Sequence, residues 1–319
     1  MSPIGLGLAA LGRPGYITVG HGADLGPDRR RDAMEQRAHA VLDAAYARGV
    51  RYFDVARSYG LAEEFLASWL ARRMIPPRSV TVASKWGYAY TADWRVDAPT
   101  HEVKSHTLPV FTRQLNESRA ILGEHLALYQ IHSATRDSGV LDDASIVDAL
   151  AHARHGGLHI GLTVSGPGQA ETIWRALDVR RDGERVFDAV QATWNLLERS
   201  VEPAVSAAHD EGLGVIVKEA LANGRLTLHG ANAVPDERIA QLAREAARLD
   251  VSVDALALKS ALVQPWADVV LSGAVTTWQL ESNVGASAVV IPDEATVRLQ
   301  ALTMTSEEYW SERSALPWN

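Results

Sequence analysis

The chain has 319 residues, of which 47% are hydrophobic and 22% charged, with a net charge of −8 and no cysteine. That composition suits a globular protein. It excludes disulfides, thiolate nucleophiles, Fe–S clusters and thiolate zinc sites, and it argues against a broad nucleic-acid-binding face. No apolar run reaches the roughly 20 residues that cross a bilayer, and MSPIGLGLAALGRPG has no basic leader or small-residue cleavage site, so a cytoplasmic address is expected.

In chain order, eight short β-branched or apolar runs appear: IGLGLAAL from Ile4, VRYFDVA from Val50, VTVASK from Val80, LALYQIH from Leu126, HIGLTV from His159, FDAVQATW from Phe187, GVIVKEA from Gly214 and DVVLSGA from Asp268. Helical periodicity fills the gaps. One such stretch runs through Met34, Ala38, Val41, Leu42 and Ala45 and ends at Gly49; another, opened by Pro235, runs through Ile239, Leu242, Ala246 and Leu249. Apolar strands alternating with helices predict a parallel sheet covered on both faces, and a count of eight predicts one closed (β/α)8 barrel over 1–319 with its active site at the C-terminal ends of the strands. The competing doubly wound fold lacks its fingerprint, because neither GLGLAALG nor GHGADLG has GxGxxG spacing leading into a helix. Two segments interrupt the alternation, 86–106 and 304–319, and both are read as active-face elements.

In such a barrel the last residues of successive strands converge on one mouth. Asp54 ends the second run, Lys85 the third and His132 the fourth, with Tyr59 five residues beyond Asp54. A phenol has a reference pKa of about 10, and an adjacent ammonium is expected to lower it, so Lys85 would tune Tyr59 while Asp54 keeps Lys85 protonated. His132 would hold a substrate oxygen. Together the four form an acid/base set for a carbonyl or alcohol oxygen.

At these residues the sequence resembles the aldo-keto reductase family. FDVARSYGLAEEFLASWL, VTVASKWG and LNESRAILGEHLALYQIH carry the resemblance, and it continues in order through FDAVQATWNLLERS, GVIVKEALANGRL and GAVTTWQLESNVGA. It implies a tetrad of Tyr59 as proton donor, Lys85 and Asp54 as its tuners and His132 as the orienting partner, with hydride passing between a nicotinamide cofactor and a small aldehyde, ketone or alcohol. It also implies cofactor contacts from Gln191, Leu221, Gly224, Thr277 and Asn283. Four positions depart from the family pattern: Thr163 and Val164 replace a Ser-Asn pair, Lys218 replaces a tyrosine that stacks on nicotinamide, and Gly273 and Gln279 stand where basic residues commonly clamp a 2′-phosphate. Family habit favours NADP(H), and NAD(H) stays open. Trp194 is expected to supply the missing stack, and Trp86 and Tyr88 a substrate wall suited to a sugar-like molecule.

Two rival readings stay open: a cofactor-binding sensor subunit with little turnover, and a barrel glycosidase using Asp54 and Glu219. A metal site is not expected, since HARHGGLH at 152–159 has no HExxH pairing, and HEVKSH at 101–106 is read as a solvated turn. Oligomeric state, substrate identity and reaction direction are not encoded in any of these motifs.

Overall fold

A run such as VTVAS has apolar groups on both sides of the pleat, so it is stable only with both faces covered. All eight runs find that environment. In the computed structural model, which describes residues 2–233 and 236–319, they form β1 (Ile4–Gly7), β2 (Tyr52–Asp54), β3 (Thr81–Trp86), β4 (Leu126–Ala134), β5 (His159–Val164), β6 (Ala189–Thr193), β7 (Gly214–Lys218) and β8 (Val269–Ser272). Neighbours pair in parallel in chain order, and β1 closes on β8 with Ile4 opposite Val270. That closure sets aside the open, doubly wound alternative.

The helices outside follow the expected spacing. Arg31–Ala47 buries Met34, Ala38, Val41, Leu42 and Ala45, and the chain turns after it at Gly49, whose φ of 84° suits a residue without Cβ. Glu237–Arg248 buries Ile239, Leu242 and Ala246, and its first turn is capped by the Asp236 side chain; Pro235 lies outside the described residues.

Period-two alternation divides the barrel interior into layers. Tyr52, Ala83, Leu128, Ala189 and Ile216 pack into an apolar floor, so Leu128→Ala would cost about 2–5 kcal/mol. Two residues further along each strand come Asp54, Lys85, Gln130, Gln191 and Lys218. A polar layer therefore sits on an apolar one, facing the mouth.

The active-face segments are ordered structures. After β3 the chain makes an antiparallel hairpin, Tyr88–Tyr90 with Glu102–Lys104, which replaces the expected solvated turn at HEVKSH: His101 is buried and stacks on Trp318 with ring centroids 3.8 Å apart. The C-terminal helix Ser306–Ser314 opens with a capping box between Thr305 and Glu308. His155 and His159 lie near Glu184 and Asp188 at the start of β5 and β6, away from the mouth. Among the described residues no cluster of three His, Asp or Glu is placed to hold a metal, and no helix is long and apolar enough to cross a membrane.

Candidate active site

The four strand-end residues meet. Lys85 and Asp54 form an ion pair with side chains at 0% and 3% exposure, a burial tolerable only if the remaining polar atoms are matched. They are matched here: Lys85 Nζ also donates to the Val55 carbonyl at 3.0 Å, and Asp54 Oδ2 accepts from Gln191 Nε2 at 2.9 Å and Gln130 Nε2 at 3.5 Å. Above the pair, the Tyr59 hydroxyl lies 3.5 Å from His132 Nε2, and the Tyr59 ring centroid is 4.8 Å from Lys85 Nζ. His132 Nδ1 faces Ser58 Oγ at 3.4 Å.

A local irregularity aims the imidazole. The β4–β5 register shifts between Ile131 and Ala134, and Ser133 adopts φ 53°, its N–H donating to Thr163 Oγ1 at 2.7 Å. Beneath it, His106 Nε2 donates to the His132 carbonyl at 2.9 Å. This imidazole is neutral, since burial pushes its pKa down to about 4. It fits because residue 87 is glycine: φ is 108°, and a Cβ there would lie 2.3 Å from His106 Cδ2.

The loop after β1 presses on the Tyr59 loop in the same manner. A Cβ on Gly12 would lie 2.3 Å from the Tyr59 carbonyl oxygen, and the Leu61 N–H donates to the Gly12 carbonyl at 2.8 Å. Next to it, Arg13 donates to the Ser58 carbonyl at 3.1 Å and to Glu102 at 3.0 Å. Its guanidinium lies 5.3 Å from the Tyr59 ring and 4.8 Å from that of Trp318, so one buried cation ties the loop, the hairpin and the C-terminal segment together.

Electrostatics corrects one expectation. Burial, followed by the Asp54 charge, pushes the Tyr59 phenol well above its ordinary pKa, so Lys85 does not acidify it at rest. Burial also lowers Lys85, opposed by Asp54. His132 is held well below its usual range by burial and then by Lys85 and Arg13. The resting site thus presents a neutral phenol and a neutral imidazole over an ion pair.

These groups open onto a cavity of about 490 Å³, within the range of small-molecule and cofactor sites. Most of the expected contact residues line it: Thr163, Gln191 and Tyr88 near Tyr59, Lys218, Leu221 and Gly224 after β7, and Gly273, Gln279 and Asn283 after β8. Three expected residues do not. Trp86 is fully buried against Phe111, with ring centroids 5.0 Å apart, and Trp194 is 1% exposed with its indole N–H donating to Glu202, so neither forms a substrate wall or a stacking platform. Thr277 is also outside the lining, because Thr276 occupies the N-cap and accepts from the Gln279 N–H.

The residues present fit a nicotinamide dinucleotide. Gln191 spends its NH2 on Asp54, leaving its carbonyl oxygen free to accept, while Thr163 Oγ1 already accepts from Ser133 and keeps its own proton to donate. One acceptor and one donor are what a carboxamide needs, and Gln191 and Thr163 present that pair. His21 Nε2 and Asn223 Oδ1 line the same cavity, are buried, and have no hydrogen-bond partner among the described residues. Lys218 lines the same cavity with its Nζ donating to Thr193 Oγ1 at 2.7 Å, and burial lowers its pKa to about 8. Burial works against ionised Glu219, yet Lys218 and Arg313 overcome it and hold the carboxyl at about 2. Asp54 is bound to Lys85 and Glu219 to Arg313, so neither carboxyl is placed to act as the proton donor that the glycosidase reading needs.

Arg13, His21, Glu102, Arg313 and Trp318 were not singled out from the sequence. The one sequence signal for Arg13, Glu102, Arg313 and Trp318 is position, in GRPGY just after the first strand and in the two segments assigned to the active face, and His21 has only its place in the glycine-rich GHGADLG.

Comparison with known proteins follows the same lines. A model of the aldo/keto reductase family matches residues 3–303. The chain is 29% identical over 213 residues to an uncharacterized oxidoreductase, YrpG, of Bacillus subtilis, covering 61% of this chain and 60% of that protein. It is 25% identical over 302 residues to D-threo-aldose 1-dehydrogenase of a Pseudomonas species, covering 86% and 90%. The match to the first of these relatives therefore spans less than two thirds of its length. Among solved structures, aldo-keto reductase AKR11C1 from Bacillus halodurans in its holo form superposes with a TM-score of 0.70 at 19% identity, covering 97% of this chain and 95% of that one, a likeness of fold.

Proposed function

As the chain belongs to the aldo/keto reductase family, we propose that it is a nicotinamide-dependent oxidoreductase acting on the carbonyl of a small, hydroxylated, sugar-like molecule. The observation that carries this reading is the Tyr59 hydroxyl 3.5 Å from His132 Nε2, above the buried Asp54–Lys85 pair at the cavity floor. A bound reduced nicotinamide supplies the hydride.

The chain's own residues then have separate tasks. Tyr59, kept protonated by burial, gives its hydroxyl proton to the carbonyl oxygen of the substrate as that oxygen gains charge. Lys85 faces the phenolate left behind, and Asp54 keeps the ammonium charged in a dry site. His132, neutral, orients the same oxygen. Thr163 and Gln191 hold the carboxamide, and Tyr16, Tyr88 and Trp318 with Arg13 and Glu102 offer the mixture of flat faces and polar groups that a polyhydroxylated substrate uses. The aldose dehydrogenase relative supports that substrate class.

The test is loss of reduced-nicotinamide absorbance with a panel of aldoses and simple aldehydes, in the protein and in Tyr59→Phe. We expect turnover in the first, and in the variant a fall of about 10²–10⁴-fold with dinucleotide affinity nearly unchanged. Equal turnover in both would remove Tyr59 from the mechanism. Tight dinucleotide binding without turnover on any carbonyl would favour the sensor reading instead.

A further inference from the structure

Resting on the dinucleotide reading above, we infer that the site selects NAD(H), whose adenosine carries a free 2′-hydroxyl, over the 2′-phosphorylated form, and that Trp278 is the platform for the adenine. The direction of the ligand follows from the chemistry: the nicotinamide must reach Tyr59 and His132, so the second nucleoside occupies the far end of the cavity, past β8, at the first turn of the helix Thr277–Gly285.

Charge is divided unevenly between these two ends. The lysine and arginine side chains lining the cavity are Arg13, Lys218 and Arg313, and all three belong to the catalytic end, engaged with Glu102, Thr193 and Glu219. The titratable groups at the far end are Asp24, Asp254, His21 and His229. Asp24 accepts from Gln279 Nε2 at 2.8 Å, and Asp254 accepts from Ser282 Oγ at 2.8 Å, which places both carboxylates against the helix that follows β8. Burial lowers His21 to about 4, and His229 Nε2 lies 3.5 Å from Asp24, so any charge it carries is matched to that carboxylate. A phosphomonoester brings about −1.5 to −2 charges to its site at neutral pH. Among the described residues lining that end there are two carboxylates and no lysine or arginine, and Arg29, whose charge reaches His21, donates to the Pro14 and Gly22 carbonyls, so a phosphate is repelled there, whereas a ribose hydroxyl can donate to either carboxylate. At the helix start the N–H of Gln279 is given to Thr276 Oγ1 and that of Leu280 to the Thr276 carbonyl, so only the N–H groups of Thr277 and Trp278 remain to set against the two carboxylates.

Two large apolar side chains at the far end are exposed. Trp278 is 74% exposed and Leu228 68%, and both border the same cavity. A bare indole at a cavity rim gains most from a flat aromatic partner, and stacking of a base on such a ring is worth about 1–3 kcal/mol.

Calorimetric titration of the full chain with NADH, NADPH, ADP-ribose and 2′-phospho-ADP-ribose tests both parts without turnover. We expect NADH to bind at least about tenfold more tightly than NADPH, and ADP-ribose to exceed its 2′-phosphate by a similar ratio. Trp278→Ala, at an exposed position, should weaken ADP-ribose about tenfold, and Asp24→Asn with Asp254→Asn should bring the two dinucleotides to within about threefold. Equal or tighter binding of the phosphorylated ligands overturns the selectivity while leaving the oxidoreductase reading intact. Unchanged ADP-ribose affinity in Trp278→Ala overturns the platform. Failure of all four ligands to bind overturns this inference and the proposed function together.

Discussion

Replacing Glu219 by Gln removes one negative charge from between two cations and keeps the side chain's shape. The Glu219 side chain is 10% exposed, accepts from Arg313 Nε at 2.8 Å and from Thr193 Oγ1 at 3.3 Å, and lies 3.9 Å from Lys218 Nζ. The carboxyl titrates near 2 in the fold against an ordinary 4.5, a depression worth on the order of 3 kcal/mol at neutral pH. Leaving Lys218 and Arg313 without their counter-charge gives a similar figure, about 3–5 kcal/mol. Glu219→Gln should therefore lower Tm by roughly 6 °C. The sign of the pH dependence follows from the depressed pKa: the contribution is complete above about 4.5 and is lost as pH falls toward about 2. In urea unfolding the gap between wild type and variant should be constant above that window and narrow by up to about 1.4 kcal/mol per pH unit inside it. A gap below about 1 kcal/mol at neutral pH, or one that does not narrow in acid, would refute the claim that this pair holds the segment after β7.

Three further outcomes follow from the site. Gly87→Ala should destabilise the chain by about 1–3 kcal/mol and depress kcat, because φ 108° is unfavourable for alanine and the new methyl displaces His106 from beneath His132; a thermal melt and a kcat identical to wild type would contradict it. Thr163→Val should weaken NADH up to roughly tenfold while leaving ADP-ribose, which lacks the carboxamide, unaffected, and Thr163→Ser should bind as wild type does; calorimetry of the three proteins decides. Since burial raises the Tyr59 phenol, carbonyl reduction should hold its rate from neutral into alkaline pH while alcohol oxidation, which needs the deprotonated oxygen, rises. A pH profile of kcat/KM in both directions would expose parallel curves if Tyr59 is not the group involved.

The strands, and the meeting of Asp54, Lys85, His132 and Tyr59 at one mouth, were legible because both depend on short-range rules. Apolar runs marked β1 to β8, and strand-end position marked Asp54, Lys85 and His132 without any knowledge of the loops. The same rule, applied one residue further, explains the errors at the two tryptophans. Successive side chains on a strand point to opposite faces, so if Lys85 faces the barrel interior, Trp86 must face the helices, and Trp194 stands in the same relation to Thr193. Arg13, Glu102 and Trp318 were not readable in this way. They meet because three loops far apart in sequence fold over one mouth, and no periodicity within any one loop encodes that meeting.

The expectation that Lys85 would acidify Tyr59 failed for a reason that bears on mechanism. An ammonium lowers a neighbouring phenol's pKa through its field, but Asp54 is bonded to Lys85 here, and at the phenol the carboxylate's charge acts in the opposite direction and raises the pKa. Burial first and the Asp54 charge second raise the phenol, and it keeps its proton. A proton donor for carbonyl reduction has to be loaded before the substrate oxygen gains charge, and a free lysine beside it would have bled that proton away in advance. In the proposed reaction, pairing Lys85 with Asp54 keeps the acid in its donor form at rest, while the ammonium remains in place to face the phenolate once the proton has left.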